Sequence, residues 1–489
     1  MTARSSARTV LGWIGWAGGD AVGRLILLSA STIVLSRLIP AEEFGISAIV
    51  LTMSAAAALL VGAPFEEALV QKKVLRGAHL RTAFGFSMLV ALALIALSLV
   101  GGPLLAGAYA SPEMAMLLPV SMLSVAFSGH GDLVTALARR RHRFNDIAAS
   151  NLISHAVGVP VSIAMALAGA GVWSLIVMRL VIVVVRSLCL QWQLRFPLMP
   201  QLSLSHLAAL GRFASISFLD RFADNLNYLL FNNIVGSFFG LSALGQLNMA
   251  MRIVEPLRGA IVATSHNIVF SHFKRVAQTA KAAIAERDRV IALLAFVTAT
   301  SFAGLAAIMP ALVPVVSGPG WETATDIAIC LSLGAAVLMP ARPIFTALSA
   351  GNRPEFSLVS SLTGLAVTFL LLVAMKDSPP YVIGAARLIG DSWQALFALL
   401  APIGKPDRWT SGERLRLLAP AWATAAVMAL ATGAFAVTVQ PFGNILALCA
   451  AIPIGAAIQI GLMWLFTRPA LLGIFDFLRG QPLRPGEQA

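Results

Sequence analysis

Charge is what this sequence has least of. Only 12% of its 489 residues are Asp, Glu, Lys or Arg, about half the share a soluble chain uses to cover its surface. That deficit excludes a water-soluble enzyme or binding protein of this length. Histidine is also scarce, with seven residues scattered along the chain, and there are three cysteines. Cys189, Cys330 and Cys449 lie far apart, each inside an apolar stretch. They read as small buried hydrophobes. No metal-ligand spacing is formed, so no metal or other cofactor is expected. The G-x-x-x-x-G-K-[ST] phosphate loop does not occur, which excludes an ATP-driven pump within this chain. No polar stretch is long enough for a soluble domain, so any chemistry takes place in or beside a membrane.

Apolar residues make up 58% of the chain, and the mean hydropathy is +0.84. Stretches of roughly 20 apolar residues, enough to cross a bilayer as helices, recur from end to end. They predict an all-α polytopic membrane protein with about fourteen transmembrane helices, near 11–35, 44–65, 80–102, 114–135, 147–168, 172–194, 211–236, 244–269, 289–309, 324–349, 356–375, 380–402, 417–438 and 443–466. The first stretch is too long for a cleavable signal peptide and carries Asp20 and Arg24.

The net charge of +13 sits in short loops between spans. This is the signature of membrane orientation rather than of nucleic-acid binding. Basic residues fill the even-numbered connections, most densely at Arg139, Arg140, Arg141 and Arg143. The odd-numbered ones hold only Arg37 and Lys376. This alternation predicts a multi-pass inner-membrane protein with both termini in the cytoplasm. The loop 270–288 reads as a basic interfacial helix.

The chain repeats itself. "LIPAEEFGISAIVLTM" at 38–53 aligns with "FFGLSALGQLNMAMRI" at 238–253, placing Gly45 on Gly245 and Asp20 on Asp220. "TALARRRHRF" at 135–144 matches "TALSAGNRPEF" at 346–356, and Arg179-Leu180 matches Arg387-Leu388. The near-constant offset predicts two six-helix lobes around a central cavity, residues 1–200 and 201–404. An additional helix pair and cytoplasmic tail follow at 405–489. Because six is even, the lobes point the same way across the membrane.

Ionisable groups inside spans are costly and face cavities or partners. The first span carries Asp20 and Arg24 one helical turn apart. The seventh carries Asp220, Asp224 and Asn227 on one face, beside Arg221. The eighth carries Asn248, Arg252 and Glu255 on one face, plus Arg258, and the tenth carries Arg342 between two prolines. Pairing of these charges with one another explains them in part: Asp20 with Arg24, Arg252 with Glu255, and Arg387 with Asp391 are the candidate pairs. As a set they predict a polar cavity. Guanidinium groups suit phosphate through paired N–H donors. Arg24, Arg252, Arg258 and Arg342 are therefore the candidate substrate-binding residues for an anionic cargo. Asp20, Asp220, Asp224 and Glu255 are candidates for ion coupling. Spans three, nine, eleven, thirteen and fourteen carry no internal charge and are expected to be peripheral.

"VLSRLIPAEEFGISAI", "EEALVQKK", "GAGVWSLI" and "LNYLLFNNIVGSFFGLSALGQLNMAMRIVEPL" together resemble the polysaccharide-transporter, or Wzx-type, flippases of the multidrug/oligosaccharidyl-lipid/polysaccharide exporter superfamily. The resemblance spans roughly residues 11–405. It implies alternating-access translocation of an undecaprenyl-pyrophosphate-linked oligosaccharide to the outer leaflet, for exopolysaccharide or O-antigen export. Membrane lipids and this substrate are the expected partners, with a polysaccharide polymerase and export machinery as candidate protein partners. It also implies that Arg24 and Arg252, and more weakly Arg258, line the cavity. Asp220 and Asp224 depart from the flippase pattern and resemble ion-coupling sites of drug exporters, so a cation-coupled multidrug exporter of the same fold is the alternative. A membrane polymerase or glycosyltransferase would need a large outer loop bearing His, Arg or Asp, and the outer connections are short and almost free of charge.

Overall fold

A computed structural model describes residues 3–72, 75–195, 199–203, 206, 228–261, 282–350, 353, 355–401 and 410–466. Every long apolar stretch among them is helical: α1 (Ala3–Leu38), α2 (Ala41–Val61), α3 (Ala63–Gln71), α4 (Gly77–Ala108), α5 (Met114–Arg140), α6 (Phe144–Leu167), α7 (Val172–Leu194), α8 (Tyr228–Ile261), α9 (Ala282–Ser317), α10 (Glu322–Leu338), α11 (Arg342–Ala350), α12 (Glu355–Ala374), α13 (Val382–Leu400), α14 (Ser411–Val439) and α15 (Asn444–Phe466). Among the described residues, ten helices are long and apolar enough to cross a membrane, or eleven if the bent pair α10–α11 is one span. Two compact units emerge, Met1–Gly245 and Gln246–Ala489.

The interruptions follow from glycine and proline. Gly62 ends α2, and Pro64 opens α3, where its missing N–H costs no helical bond. Pro340 and Pro343 flank the 42° bend between α10 and α11. Gly240 has φ 86°, which no right-handed helix continues. A Cβ placed on Gly236 would lie 3.3 Å from a methyl of Leu244; eight residues of straight helix would separate them by about 12 Å. The chain therefore folds back within α8, where the sequence predicts one span to end and the next to begin.

In the first unit, α5 packs against α2, α4 and α7, and α6 against α1 and α7. Small residues let these helices approach closely, as packing in lipid requires. Ser121 donates to Ser54 at 2.9 Å, and Ser87 to the Val61 carbonyl at 2.7 Å. The basic cluster at the end of α5 bonds to the end turns of neighbouring helices. Arg139 pairs with Glu66 at 3.0 Å. Arg140 donates to the carbonyls of Leu69, Val70 and Lys72 at the end of α3. Arg141 and Arg143 donate to Leu194 and Gln193 at the end of α7. Cations there satisfy orphan carbonyls and complement the negative end of the helix dipole.

At the opposite end of α7, Gly171 adopts φ 50°. A Cβ there would lie 2.2 Å from Glu43 Oε2. The Glu43 carboxylate accepts the Val172 N–H, so an acid on α2 holds the first turn of α7. The segments "AEEFG" and "GAGVW" thus meet at one contact.

In the second unit, α9 packs against α10, α14 and α15, and α13 against α10 and α12. Buried shares of 28, 22, 28 and 22% make α4, α12, α14 and α15 the peripheral helices expected of uncharged spans. Span nine departs from that expectation: α9 is 50% buried, because the C-terminal pair α14–α15 covers it. Absence of charge marks a helix with no polar duty, and neighbouring helices can still bury it.

Arg414 joins α14 to α13. It is 2% exposed and donates to the carbonyls of Ala398 and Ala401 at 2.7 and 2.8 Å. Arg414→Ala is expected to lower the melting temperature of the purified protein, since each carbonyl left unpaired costs about 1–3 kcal/mol. Arg414→Lys should recover only part, because one ammonium cannot reproduce the fork. An unchanged melting curve for Arg414→Ala would remove this joint from the account.

Candidate functional site

In the first unit, the α1 helix presents Asp20 and Arg24 one turn apart, so they meet: Arg24 Nε lies 3.0 Å from Asp20 Oδ1. Asn151 on α6 donates to the other carboxylate oxygen at 3.3 Å. His155, one turn further along α6, bonds through Nδ1 to the Asn151 carbonyl at 2.9 Å and lies within electrostatic reach of Asp20, Arg24 and Arg179. Asp20 is buried, whereas the Arg24 side chain keeps 38% of its surface open. The carboxylate anchors one edge of a guanidinium that still faces open space.

A second polar seam runs between α5 and α7. His130 Nδ1 bonds to Ser187 Oγ, and its ring lies edge-on to Phe84 at 5.7 Å. Arg186 donates to Thr135 at 3.0 Å. Asp132 lies within reach of Arg179, and Arg179 itself is exposed.

In the second unit, α8 and α13 build a four-charge cluster. Asp391 is 1% exposed and receives Arg258 Nη2 at 2.9 Å. Arg387 Nε stands 3.5 Å from its other oxygen, and Arg258 Nη1 also reaches Glu255 at 3.4 Å. Gly334 on α10 closes over Asp391, leaving 3.1 Å from its Oδ2 to an added Cβ. Two cations and two anions balance, as a buried cluster requires.

The structure thus joins Asp20 to Arg24 and Arg387 to Asp391, as the spacing suggests, and gives Glu255 to Arg258. Arg252 lies on α8 one turn before Glu255 and about two before Arg258, half-buried. Arg342 is exposed at the first residue of α11, just past the bend. Asp220 and Asp224 lie outside the described residues. Sequence reasoning missed Asn151 and His155; the available signal was an amide and an imidazole four residues apart within an apolar span.

These sites sit in a chain with recognisable relatives. Residues 34–326, more than half of it, match the family described as "Polysaccharide biosynthesis protein". The chain belongs to that family. It is a multi-span membrane protein of polysaccharide biosynthesis. The succinoglycan biosynthesis transport protein ExoT of Rhizobium meliloti (strain 1021) is 26% identical to it over 347 residues, 70% of this chain and 69% of ExoT. Among solved structures, the lipid II flippase MurJ in an inward closed conformation matches with a TM-score of 0.75 at 14% identity, over 93% of this chain and 99% of its own. An inward-facing multidrug resistance MATE family transporter of the MOP superfamily matches at 0.54 and 15% identity, over 82% and 98%. These likenesses give this family member the fold of that superfamily.

Proposed function

We propose that this transporter flips a lipid-linked oligosaccharide, carried on undecaprenyl pyrophosphate, from the cytoplasmic to the outer leaflet of the inner membrane for exopolysaccharide export. The observation that carries the reading is a half-open guanidinium, Arg24, held by a buried acid inside a long helix of a member of a polysaccharide-biosynthesis family. A guanidinium so placed suits a diphosphate, while the prenyl tail stays in the bilayer. The named role of ExoT, succinoglycan biosynthesis transport, supports a saccharide cargo. On this reading about fourteen spans form two six-helix lobes, 1–200 and 201–404, with a further pair at 405–489. Both termini are cytoplasmic, and Arg24, Arg252, Arg258 and Arg342 meet the cargo. Asp220 and Asp224 remain the candidates for ion coupling.

The alternative, cation-coupled drug export, wants acids open to a cation. Asp20 and Asp391 are instead committed to arginines, which favours the anionic cargo. A deletion strain is expected to stop secreting one polysaccharide and to accumulate its lipid-linked repeat unit in the inner leaflet. Lost secretion with no such lipid would reject the proposed cargo.

A further inference from the structure

We propose that the start of α2 and the turn of α8 form the outer seal of the transport path, latched by two glycines that exchange backbone contacts, and that this seam parts in each transport cycle. The proposal rests on the alternating-access reading above and on the orientation given by the basic loops.

Gly45 lies against the carbonyl of Leu241, and Gly245 against the carbonyl of Ala41. A Cβ added at either glycine would stand 1.9 or 1.7 Å from that oxygen, so any other residue forces the backbones apart. The contact is reciprocal. Each glycine meets the residue four positions before the other, and each partner differs by 200 in number, the register in which the two segments align in sequence. A contact that maps onto itself under the repeat lies on the repeat's axis, where two related elements would close against each other. Backbones this close are joined by Cα–H···O contacts and dispersion, which vanish over a small separation.

Two side-chain bonds beside the latch join neutral groups. Asn232 donates to Thr52 at 2.8 Å, and Tyr109 donates to Asn233 Oδ1 at 3.0 Å. They contrast with the ion cluster around Asp391, which costs far more to open. Position supports the same role. The connections before α2 and at Gly240 are odd-numbered ones, almost without Lys or Arg, so the charge bias puts them on the outer side. A neutral, shape-dependent latch there can separate without stranding a charge in the bilayer.

The test uses full-length protein with its three native cysteines replaced. Thr52→Cys with Asn232→Cys should cross-link on oxidation, reduce polysaccharide export to the level of the deletion strain, and regain it on reduction. Undiminished export by fully cross-linked protein would overturn the proposal. Separately, Gly45→Val or Gly245→Val should hold the seam apart. An impermeant maleimide applied to intact cells should then label a lone Asn232→Cys several-fold faster than without the valine. Equal labelling, at equal amounts of protein in the membrane, would also overturn it. Both readouts follow the seam and not the cargo. A seal that behaves as expected in a strain accumulating no lipid-linked saccharide would leave the seal standing and reject the cargo.

Discussion

Asp391→Ala is expected to abolish export and to destabilise the protein by about 3–5 kcal/mol, the usual cost of leaving buried charge without its partner. Asp391 is 1% exposed and is shared by Arg258 and Arg387. Removing it takes a shared carboxylate from two guanidiniums among apolar helices, of which Arg258 keeps Glu255 at 3.4 Å. Asp391→Asn keeps the shape and one acceptor but loses the charge, and should fall between wild type and alanine. The informative variant is Arg258→Ala with Asp391→Ala. Removing one charge of each sign returns the cluster to balance, with Glu255 and Arg387 as its remaining charges, so the melting temperature should largely recover. If Arg258 meets the anionic cargo, export stays lost although the protein is stable and present in the membrane. Melting of the purified protein and secretion by a complemented deletion strain, read together, separate the two roles. Recovery of both would assign Arg258 to holding α8 against α13 and remove it from the cargo site.

The helices were legible because each needs about 20 apolar residues and little else. Their breaks were less so. The reversal at Gly240 was visible as a gap between two apolar runs, whereas the division of α2 from α3 at Gly62 was hidden inside one continuous run. Contacts one turn apart on a helix, such as Asp20 with Arg24, can be read from spacing alone. Contacts between distant segments cannot. Arg258 and Asp391 are 133 residues apart, and only the packing of α13 in its unit decides that Asp391 takes Arg258 as well as Arg387. The arginines at 139–143 showed the same limit. Their sign gave an orientation, but their bonds to the ends of α3 and α7 depend on where those helices stop. Gly45 and Gly245 were aligned as a repeat with no reason for their identity, and the reason is a backbone carbonyl from the other segment.

Arg24→Ala is expected to remove nearly all export, and Arg24→Lys to retain part of it. The guanidinium gives Nε to Asp20 at 3.0 Å while 38% of the side chain stays open. One edge is therefore fixed and the other can meet a phosphate through paired donors. A lysine supplies the charge but not the fork. Losing a charge-assisted pair of this kind removes about 1.5–3 kcal/mol of interaction, or roughly ten- to a hundred-fold in binding. Structure alone could produce the same loss, because Asp20 would be left buried with Asn151 as its one side-chain donor among the described residues. The double variant Asp20→Ala with Arg24→Ala separates the two causes. With both charges gone, Asn151 loses one acceptor and the α1–α6 contact keeps its apolar packing, so the protein should reach the membrane in normal amounts. If Arg24 binds the cargo, this double variant stays inactive, and Asp20→Asn alone, which keeps the guanidinium and an acceptor beside it, retains measurable export. If the pair serves only to join α1 to α6, the double variant regains export at matched protein level, and the phosphate-binding role of Arg24 is rejected.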